Sequence, residues 1–416
     1  MNTRFFHLVA TSALAAACLS ACGGGGGGTA SSTSTPATGA PVTVTPNTPS
    51  QPSQPSQPGA SFGTVALAMT AEPGCGYDAI NVTVTKIRFH ASASAAASDA
   101  GWTEIALQPA RRINLAQLNN GIVTALGSAA LLPGHYAQAR LVLDQNSANT
   151  TINSVVAAGA TAETPLLTQA AAPDGVAIDL GNGFDVVNGQ SLKLVADFDG
   201  CRSVAPSGAN VVLRPLISIL PAIKNGIDGV VDPALLGSNV RVSAQQNGVV
   251  VRAALPVAGS GAFSLSYLPP GSYEVVITAD GHAAAVIAGV KVADSSAVLA
   301  LNSAAAPIAL PASATGAITA VLVLQPASTI DAAYGSAYQT FANGPRASMR
   351  DRMAGIGGGF VRFDNLPLSR PSLAVWNGQP LQFTEQAAIV EGAATYTILS
   401  TAPGYVTTSA TTAVAR

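Results

Sequence analysis

Two aspartates stand two residues apart in the stretch Asp197-Phe198-Asp199-Gly200, a spacing that calcium-binding loops use. Such a loop would continue with further oxygen ligands, whereas Cys201 and Arg202 come next. We therefore interpret the stretch as a turn at the end of a strand, and we expect no metal and no cofactor.

The glycine-rich run Gly355-Ile356-Gly357-Gly358-Gly359 has the composition of a phosphate-binding loop. That loop needs a helix directly after it, because the amide groups of the first helical turn meet the phosphate. Here the pattern of a strand follows, so we predict a flexible loop that binds no nucleotide.

Histidine, the commonest general base, is scarce in this chain. Beyond the first 21 residues it occurs only as His90, His135 and His282, and the chain contains no His-Glu-x-x-His pattern. Each of the three lies where we predict a strand end or a turn, where a solvated side chain is the ordinary outcome. We therefore expect no catalytic residues and a protein that is not an enzyme.

The amino terminus carries the clearest functional signal. A start with Arg4 as its one charged side chain precedes a largely apolar run from Leu8 to Leu19. At about a dozen residues this run is shorter than the roughly 20 that a membrane-spanning helix needs, so we predict a cleaved signal peptide over residues 1–21. The sequence Leu19-Ser20-Ala21-Cys22 that ends it resembles the lipobox of bacterial lipoproteins, which implies palmitate-type acylation of Cys22. The alternative is a secreted protein with a chance cysteine at its cleavage site.

Residues 22–61 have the composition of a disordered linker. Six glycines, Gly23 to Gly28, are followed by Ser, Thr and Pro and then by the Gln-Pro-Ser triplets of residues 51–58. Such a chain cannot build a core, and at about 3.1 Å per residue where extended it reaches on the order of 100 Å. We expect folded structure to begin near Phe62.

Composition excludes some partners and favours a disulfide. The net charge is −2 and only 10% of residues are charged, so we expect no binding to nucleic acid. Apart from Cys18 and Cys22 near the amino terminus, the cysteines are Cys75 and Cys201. In an oxidising compartment the two pair most simply with each other. Free thiols or a metal site are the alternatives.

Short alternating segments predict an all-β fold, a lipid-tethered chain of antiparallel β-sandwich domains of the immunoglobulin or transthyretin type. Val65, Leu67 and Met69 point one way, and a slip in phase at Thr85-Lys86 indicates a β-bulge. Further strands are predicted from Ile80 to Phe89, Thr103 to Leu107, Tyr136 to Leu143, Val176 to Leu180, Leu192 to Phe198 and Val211 to Leu220. One short helical turn is predicted at Ile113 to Leu118.

Residues 62–221 resemble a known domain through five ordered motifs. These are Cys75-Gly76-Tyr77-Asp78, Gly101-Trp102-Thr103-Glu104-Ile105, Ala110-Arg111-Arg112-Ile113-Asn114-Leu115, Leu132-Pro133-Gly134-His135-Tyr136 and Asp197-Phe198-Asp199-Gly200-Cys201-Arg202-Ser203. Together they resemble the bacterial lipoprotein domain known as domain of unknown function 4382. The resemblance implies a β domain in the periplasm or at the cell surface and says nothing about activity.

Residues 222–312 contain a strong hairpin signal at Asn247-Gly248. They also contain a chain reversal at Pro270-Gly271, followed by a strand with Tyr273, Val275 and Ile277 on one face. The stretch from Gly261 to His282 resembles the carboxypeptidase regulatory-like modules, which implies a transthyretin-like sandwich with a carbohydrate-binding-like fold.

Residues 313–416 echo that module. Gly359 to Pro367 echoes Gly261 to Pro269, and Tyr396 to Tyr405 echoes Tyr273 to His282, with about 25 extra residues between the two echoes. We interpret the region as a diverged second module; the alternative is that one echo is chance. Ser328 to Phe341 and Ser348 to Met353 are predicted short helices, and Trp376-Asn377-Gly378 is a hairpin signal.

These features predict a non-enzymatic lipoprotein of the outer membrane, facing the periplasm or the cell surface, that acts as a binding or structural module. Its partners are the membrane, through the lipid, and a glycan or an envelope protein. A carbohydrate-binding protein and an exported hydrolase are the alternatives. In transthyretin-like sandwiches recognition falls to loops, so we predict ligand contacts at His282, Trp376, Asn377 and Tyr405. For Trp102 and Trp376 a packing role is the alternative to stacking on a sugar.

Replacing Cys22 by Ser tests the anchor, because serine cannot form the thioether to which two acyl chains are attached, and two chains are needed for stable membrane binding. We expect Cys22→Ser to accumulate as unprocessed or soluble protein that no longer enters the detergent phase in a phase-partition assay. Unchanged partitioning would contradict the lipoprotein prediction.

Overall fold

The computed structural model describes residues 62–147, 150–168 and 174–415, which belong to one compact unit, Pro58–Arg416. The fold is all-β, as predicted, with short 3₁₀ turns at Leu115–Leu118 and Pro233–Leu235. No helix in the described ranges is long and apolar enough to cross a membrane. The predicted signal peptide, Cys22 and the linker lie outside the described residues.

The first core is built from strands between residues 63 and 221. They are β1 (Gly63–Ala71), β2 (Tyr77–His90), β3 (Thr103–Asn114), β4 (Thr124–Leu131), β5 (Gly134–Tyr136), β6 (Gln138–Leu143), β7 (Ser154–Ala157), β8 (Thr164–Thr168), β9 (Val176–Ile178), β10 (Phe184–Val186), β11 (Ser191–Phe198), β12 (Val204–Ser207), β13 (Asn210–Leu213) and β14 (Ile217–Pro221). A four-stranded sheet of order β14-β11-β1-β4 and an eight-stranded sheet centred on β2 enclose the core, and β5 and β10 form a ribbon.

The second core lies between two further sheets. Its strands are β15 (Gly226–Val230), β16 (Arg241–Gln246), β17 (Val249–Ala254), β18 (Ala262–Ser266), β19 (Gly271–Thr278), β20 (Ala285–Val292) and β21 (Val298–Ala300). Three strands in the order β18-β15-β21 face five strands in the order β17-β16-β19-β20-β26. The fifth of these, β26 (Ser372–Val375), comes from much later in the chain and pairs with β20 in parallel.

The third core completes the unit. Its strands are β22 (Thr315–Val323), β23 (Ala332–Thr340), β24 (Arg346–Ile356), β25 (Gly358–Pro367), β27 (Thr395–Thr401) and β28 (Thr408–Ala413). Strands β22 and β25 form one sheet, and β24-β23-β27-β28 form the other. Among the described strands, all pairs are antiparallel except β1 with β11, β8 with β13, β15 with β21 and β20 with β26.

The central sheet of the second core is buried on both faces. Tyr273, Val275 and Ile277 of β19 point into the second core, whereas Val276 of the same strand and Val286 of β20 point into the third core. Side chains alternate across a strand, so one strand supplies apolar groups to two cores at once. The second and third cores therefore share a wall.

Several local predictions are confirmed. Val65, Leu67 and Met69 are buried in the first core, and the pairing of β2 shifts between Val84 and Lys86, as a bulge requires. Asn247 and Gly248 both have positive φ, and they connect β16 to β17 as a two-residue hairpin.

Both helices predicted in the last hundred residues are wrong. Ser328 to Phe341 and Ser348 to Met353 fall largely in strands β23 and β24. The spacing of Ala333 and Ala337 explains the error, because positions i and i+4 share a face in a helix and also in a strand. Strand β23 pairs on both sides, with β24 and β27, and this non-local pairing decides the structure.

Two loop predictions are also corrected. The glycine run at residues 355–359 is a tight reversal at Gly357 between β24 and β25, and the four glycines have positive φ, which lets the chain change sheets. Trp376-Asn377-Gly378 does not close a two-residue hairpin, since the chain returns to pair only where Thr384 meets Leu373. Pro380 lacks the N–H group that a ladder needs, so the loop is wider.

The two sequence echoes share two structural features, although the tyrosine bond spans four residues in the first and 29 in the second. Tyr273 and Tyr396 are both fully buried, and their hydroxyls donate to the carbonyls of Pro269 (2.6 Å) and Pro367 (2.8 Å) respectively. Two residues before each proline the backbone has positive φ, at Tyr267 and at Asn365. Each strand end is thus fastened by the same tyrosine bond.

The shared wall makes a testable prediction at Val286, which is 0% exposed and packs in the third core. Val286→Ala removes two carbon atoms and leaves a cavity, so we expect the free energy of unfolding to fall by about 2 kcal/mol in guanidinium denaturation. Val321→Ala is the matched control, because Val321 is 56% exposed in β22. Equal losses in the two variants would contradict burial of this face.

Candidate functional site

The disulfide follows from the pairing of two distant strands. Strands β1 and β11 are parallel neighbours, so their carboxyl ends leave the sheet at the same edge. The Glu72 amide donates to the Phe198 carbonyl at 2.9 Å, and the segments that follow carry Cys75 and Cys201. Their Cα atoms lie 4.6 Å apart and the two residues are joined, 126 positions apart in sequence, which confirms the predicted disulfide.

Charged side chains gather at this edge. Asp197 accepts a hydrogen bond from Arg252 of β17, and the two side chains are only 11% and 7% exposed. Asp199 accepts from Arg202, at 2.8 Å from its amide and 2.5 Å from its Nε. Asp197 to Gly200 is therefore a strand end and turn, as predicted, and its carboxylates are held by guanidinium groups.

Glu72 is the buried acid of this cluster, at 5% exposure. Burial, and then the neighbouring Asp199 and Asp197 carboxylates, raise the pKa of Glu72 to about 8, against the opposing effect of the Arg252 and Arg241 charges. The carboxyl therefore holds its proton at neutral pH, because ionising it would add another negative charge to a poorly solvated site.

The edge joins all three cores. Arg241 of β16 donates to the Cys75 sulfur at 2.9 Å, and the Tyr334 hydroxyl of β23 lies 3.9 Å from the Cys201 sulfur. We call this set the junction: Glu72, Cys75, Asp197, Asp199, Cys201, Arg202, Arg241, Arg252 and Tyr334. A cavity of about 250 Å³ lies within it.

A larger cleft opens beside the junction, with a volume of about 440 Å³. Its walls are the Pro73–Asp78 segment of the first core, strand β16 of the second and strand β24 of the third. Three arginines line it, Arg241, Arg350 and Arg352. Sequence reasoning missed them because they stand on two strands about a hundred residues apart with no local pattern.

The four residues predicted to contact a ligand do not form one site. His282 precedes β20, while the Trp376 amide donates to Ala288 six residues farther along, about 20 Å at 3.3 Å per residue. Trp376 is half-buried on the second core beside an exposed Asn377, and Tyr405 packs on the third core. Their ligand contacts remain a prediction. His282 hydrogen-bonds the carbonyl of Asp280, which lines the cleft.

Trp102 is covered by its neighbours. The Arg88 and Arg140 guanidinium groups lie 4.6 and 5.4 Å from the centre of its ring, and His90 lies beside it at 5.1 Å between ring centres. Arg88 on β2 lies directly opposite Arg140 on the neighbouring strand β6. Trp102 therefore packs across strands through cation–π contacts.

No catalytic triad is visible among the described residues. There none of the three histidines hydrogen-bonds a serine, threonine or cysteine side chain: His135 pairs with Asp185, and His90 contacts backbone groups. Gly59-Ala60-Ser61-Phe62-Gly63 satisfies the Gly-x-Ser-x-Gly pattern, but a nucleophile elbow leads into a helix, and here strand β1 begins at Gly63. In the same ranges no cluster of three or more histidine, cysteine or acidic residues could hold a metal.

Residues 62–215 match the family model of Domain of unknown function (DUF4382), as the sequence motifs predict. No curated protein matches this chain in sequence. Among solved structures, the Bacillus anthracis TIE protein is similar at 11% identity over 85% of this chain and 48% of that one, with a TM-score of 0.17. A Streptococcal ancillary pilin is similar at 9% identity over 85% and 96%, with a TM-score of 0.16.

This chain thus spans about half the length of the TIE structure that it matches. At these identities and TM-scores neither structure informs function. None of the similarities indicates a catalytic activity.

Protonation of Glu72 predicts how stability depends on pH. Between pH 4.5 and about 8 the folded state keeps a proton that the unfolded chain has lost. The free energy of unfolding therefore falls as pH rises through this window, by at most about 1.4 kcal/mol per unit. We expect Glu72→Gln to flatten this slope in denaturation measured from about pH 5 to 8.

Glu385→Gln is the control, since Glu385 is an exposed carboxyl away from the junction. It should leave the slope unchanged. An identical slope in Glu72→Gln and the unchanged protein would contradict a buried, protonated Glu72.

Proposed function

We propose that this chain is a lipid-anchored protein of the bacterial envelope that presents its three β cores as one binding or structural module. The anchor rests on the amino-terminal sequence: a short apolar run, small residues and Cys22, then a stretch rich in Gly, Ser, Thr and Pro. Glycine after Cys22, rather than aspartate, favours the outer membrane. The module acts without catalysis.

The observation that carries the proposal is the way the cores are joined. Domains in one chain ordinarily move against each other unless their interface is extensive. Here the second and third cores share the β19–β20 wall, and the first is tied to both by Arg252, Arg241 and Tyr334. A compact body on a long linker suits a surface protein that holds a partner away from the membrane.

For the finer architecture, we propose that residues 222–312 and 313–416 are two modules of the carboxypeptidase regulatory-like type. The paired tyrosine bonds of Tyr273 and Tyr396, and the positive φ before each proline, support a common origin. In the second module the chain between the two echoes contributes β26 to the sheet of the first.

We propose a glycan or an envelope protein as the partner, held by the loop after β26. A cavity of about 590 Å³ opens beside this loop, lined among others by Ile308, Pro380 and Phe383. Its mostly apolar walls and the neighbouring exposed Asn377 provide a stacking surface with polar groups at the rim, the composition that small-molecule sites favour.

Binding of envelope glycans and of native envelope extract by the full chain tests this placement. Trp376→Ala removes the aromatic side chain at the start of the loop, and we expect a loss of at least about tenfold in affinity. Trp102→Ala is the matched control, because it removes the other tryptophan from a region distant in sequence. Undiminished binding by Trp376→Ala, or an equal loss in both variants, would place the partner elsewhere.

A further inference from the structure

Three arginines and three aspartates line the cleft beside the junction, and only one of the arginines forms an ion pair with these carboxylates. Arg350 pairs with Asp280 at 2.7 Å, and Asn239 occupies the other oxygen of that carboxylate at 2.8 Å. Neither Arg241 nor Arg352 has a carboxylate within ion-pair distance in the part of the chain that the structure describes. Asp78 accepts a hydrogen bond from the Gly159 amide and Asp351 accepts one from the Ser348 hydroxyl. Two guanidinium groups thus line the cleft without an ion-pair partner among the described residues.

The hydrogen bonds of these two groups are weak or local. Arg241 donates to the Cys75 sulfur, and a disulfide sulfur is a poor acceptor. Arg352 donates to the backbone carbonyl of Asp351 at 3.0 Å. Each planar guanidinium has five N–H donors, so most of them are left for a ligand.

The electrostatics of Arg352 agree with this description. Burial and the neighbouring Arg350 charge lower the pKa of Arg352, against the opposing effect of the Asp364 and Asp351 carboxylates, so on balance the site disfavours its positive charge. The buried Nε of Arg350 also has no hydrogen-bond partner among the described residues. An anion placed between these side chains would relieve their repulsion.

The rest of the cleft carries side chains that can hydrogen-bond the hydroxyl groups of a ligand. Asp78, Asn239, Thr278 and Asn365 line it, together with the ring of Tyr77. The volume of about 440 Å³ falls in the range of small-molecule sites, about 300–1,000 Å³. Carboxylate and amide oxygens accept hydrogen bonds from hydroxyls, and an aromatic face packs against a sugar ring.

We propose that this cleft binds a small polyhydroxylated oxyanion, with Arg352 and Arg241 holding the anionic group and the other polar residues of the cleft holding hydroxyls. Sugar acids and sugar phosphates share this chemistry. Carboxylate and phosphate both fit the guanidinium fork, which makes two parallel hydrogen bonds to either. The cleft belongs to the folded cores, so the proposal does not depend on the lipid anchor or on the loop after β26.

Calorimetric titration of the full chain in detergent with glucuronate, glucose 6-phosphate and neutral glucose tests the proposal. We expect at least one charged sugar to bind about tenfold or more tightly than glucose, because a charge-assisted hydrogen bond contributes at least that factor. The tighter of the two charged sugars identifies carboxylate or phosphate as the preferred group. Failure of both to exceed glucose would overturn the proposal.

Variants assign the binding to the cleft. Arg352→Gln should lower the affinity about tenfold or more, and Arg352→Lys should lower it less, because lysine keeps the charge and loses the fork. Arg362→Gln is the matched control: it removes the same charge from neighbouring β25, where Arg362 pairs with Asp364 on the surface.

Thermal unfolding without ligand shows whether each variant is folded. If Arg352→Gln does not fold, Arg352→Lys carries the comparison. Unchanged affinity in the folded Arg352 variant, or an equal loss in Arg362→Gln, would overturn the assignment to the cleft.

Discussion

The parallel pairing of β1 with β11 is the constraint on which the rest of the structure depends. Because the two strands run in the same direction, both chains leave the sheet at one edge, and Cys75 and Cys201 meet there across 126 positions of sequence. The same edge brings Glu72 together with Asp197 and Asp199. An antiparallel arrangement would have put these groups at opposite ends of the sheet, and the junction between the cores would not exist.

The ion pairs at this junction fix how the cores are positioned more than they increase the free energy of unfolding. A buried ion pair such as Asp197 with Arg252 contributes little compared with an apolar pair, but losing one partner leaves a buried charge that costs several kcal/mol. Any movement of the second core that pulled Arg252 away from Asp197 is therefore disfavoured. Among the described residues Glu72 has no such partner and keeps its proton instead, while Arg241 donates to a disulfide sulfur. The neighbouring cleft, which Arg241 also lines, lies against the same edge.

The structure depends in the second place on the sheet that the second and third cores share. Strand β19 is apolar on both faces, with Val275 in one core and Val276 in the other, so the later modules cannot separate without exposing a sheet face. Strand β26 adds to this by leaving the third region of the chain to extend the sheet of the second. The binding surfaces that we propose consequently lie where cores meet as well as in the loop after β26.

The sequence by itself determined the all-β class, the bulge in β2, the hairpin at Asn247-Gly248 and the pairing of two cysteines, because alternation, turn chemistry and cysteine number act locally or by counting. It also suggested the tyrosine motifs of the second and third cores, and it supplies the evidence for the anchor that we propose at Cys22. Strand β23 was not predicted from the sequence, since alanines four apart satisfy both periods and pairing with β24 on one side and β27 on the other selects the strand. The arginine-lined cleft could not be predicted from the sequence either. Arg241 and Arg352 are ordinary polar positions on their own strands, and only the tertiary structure, by docking three cores at one sheet edge, brings their charges together in a poorly solvated space.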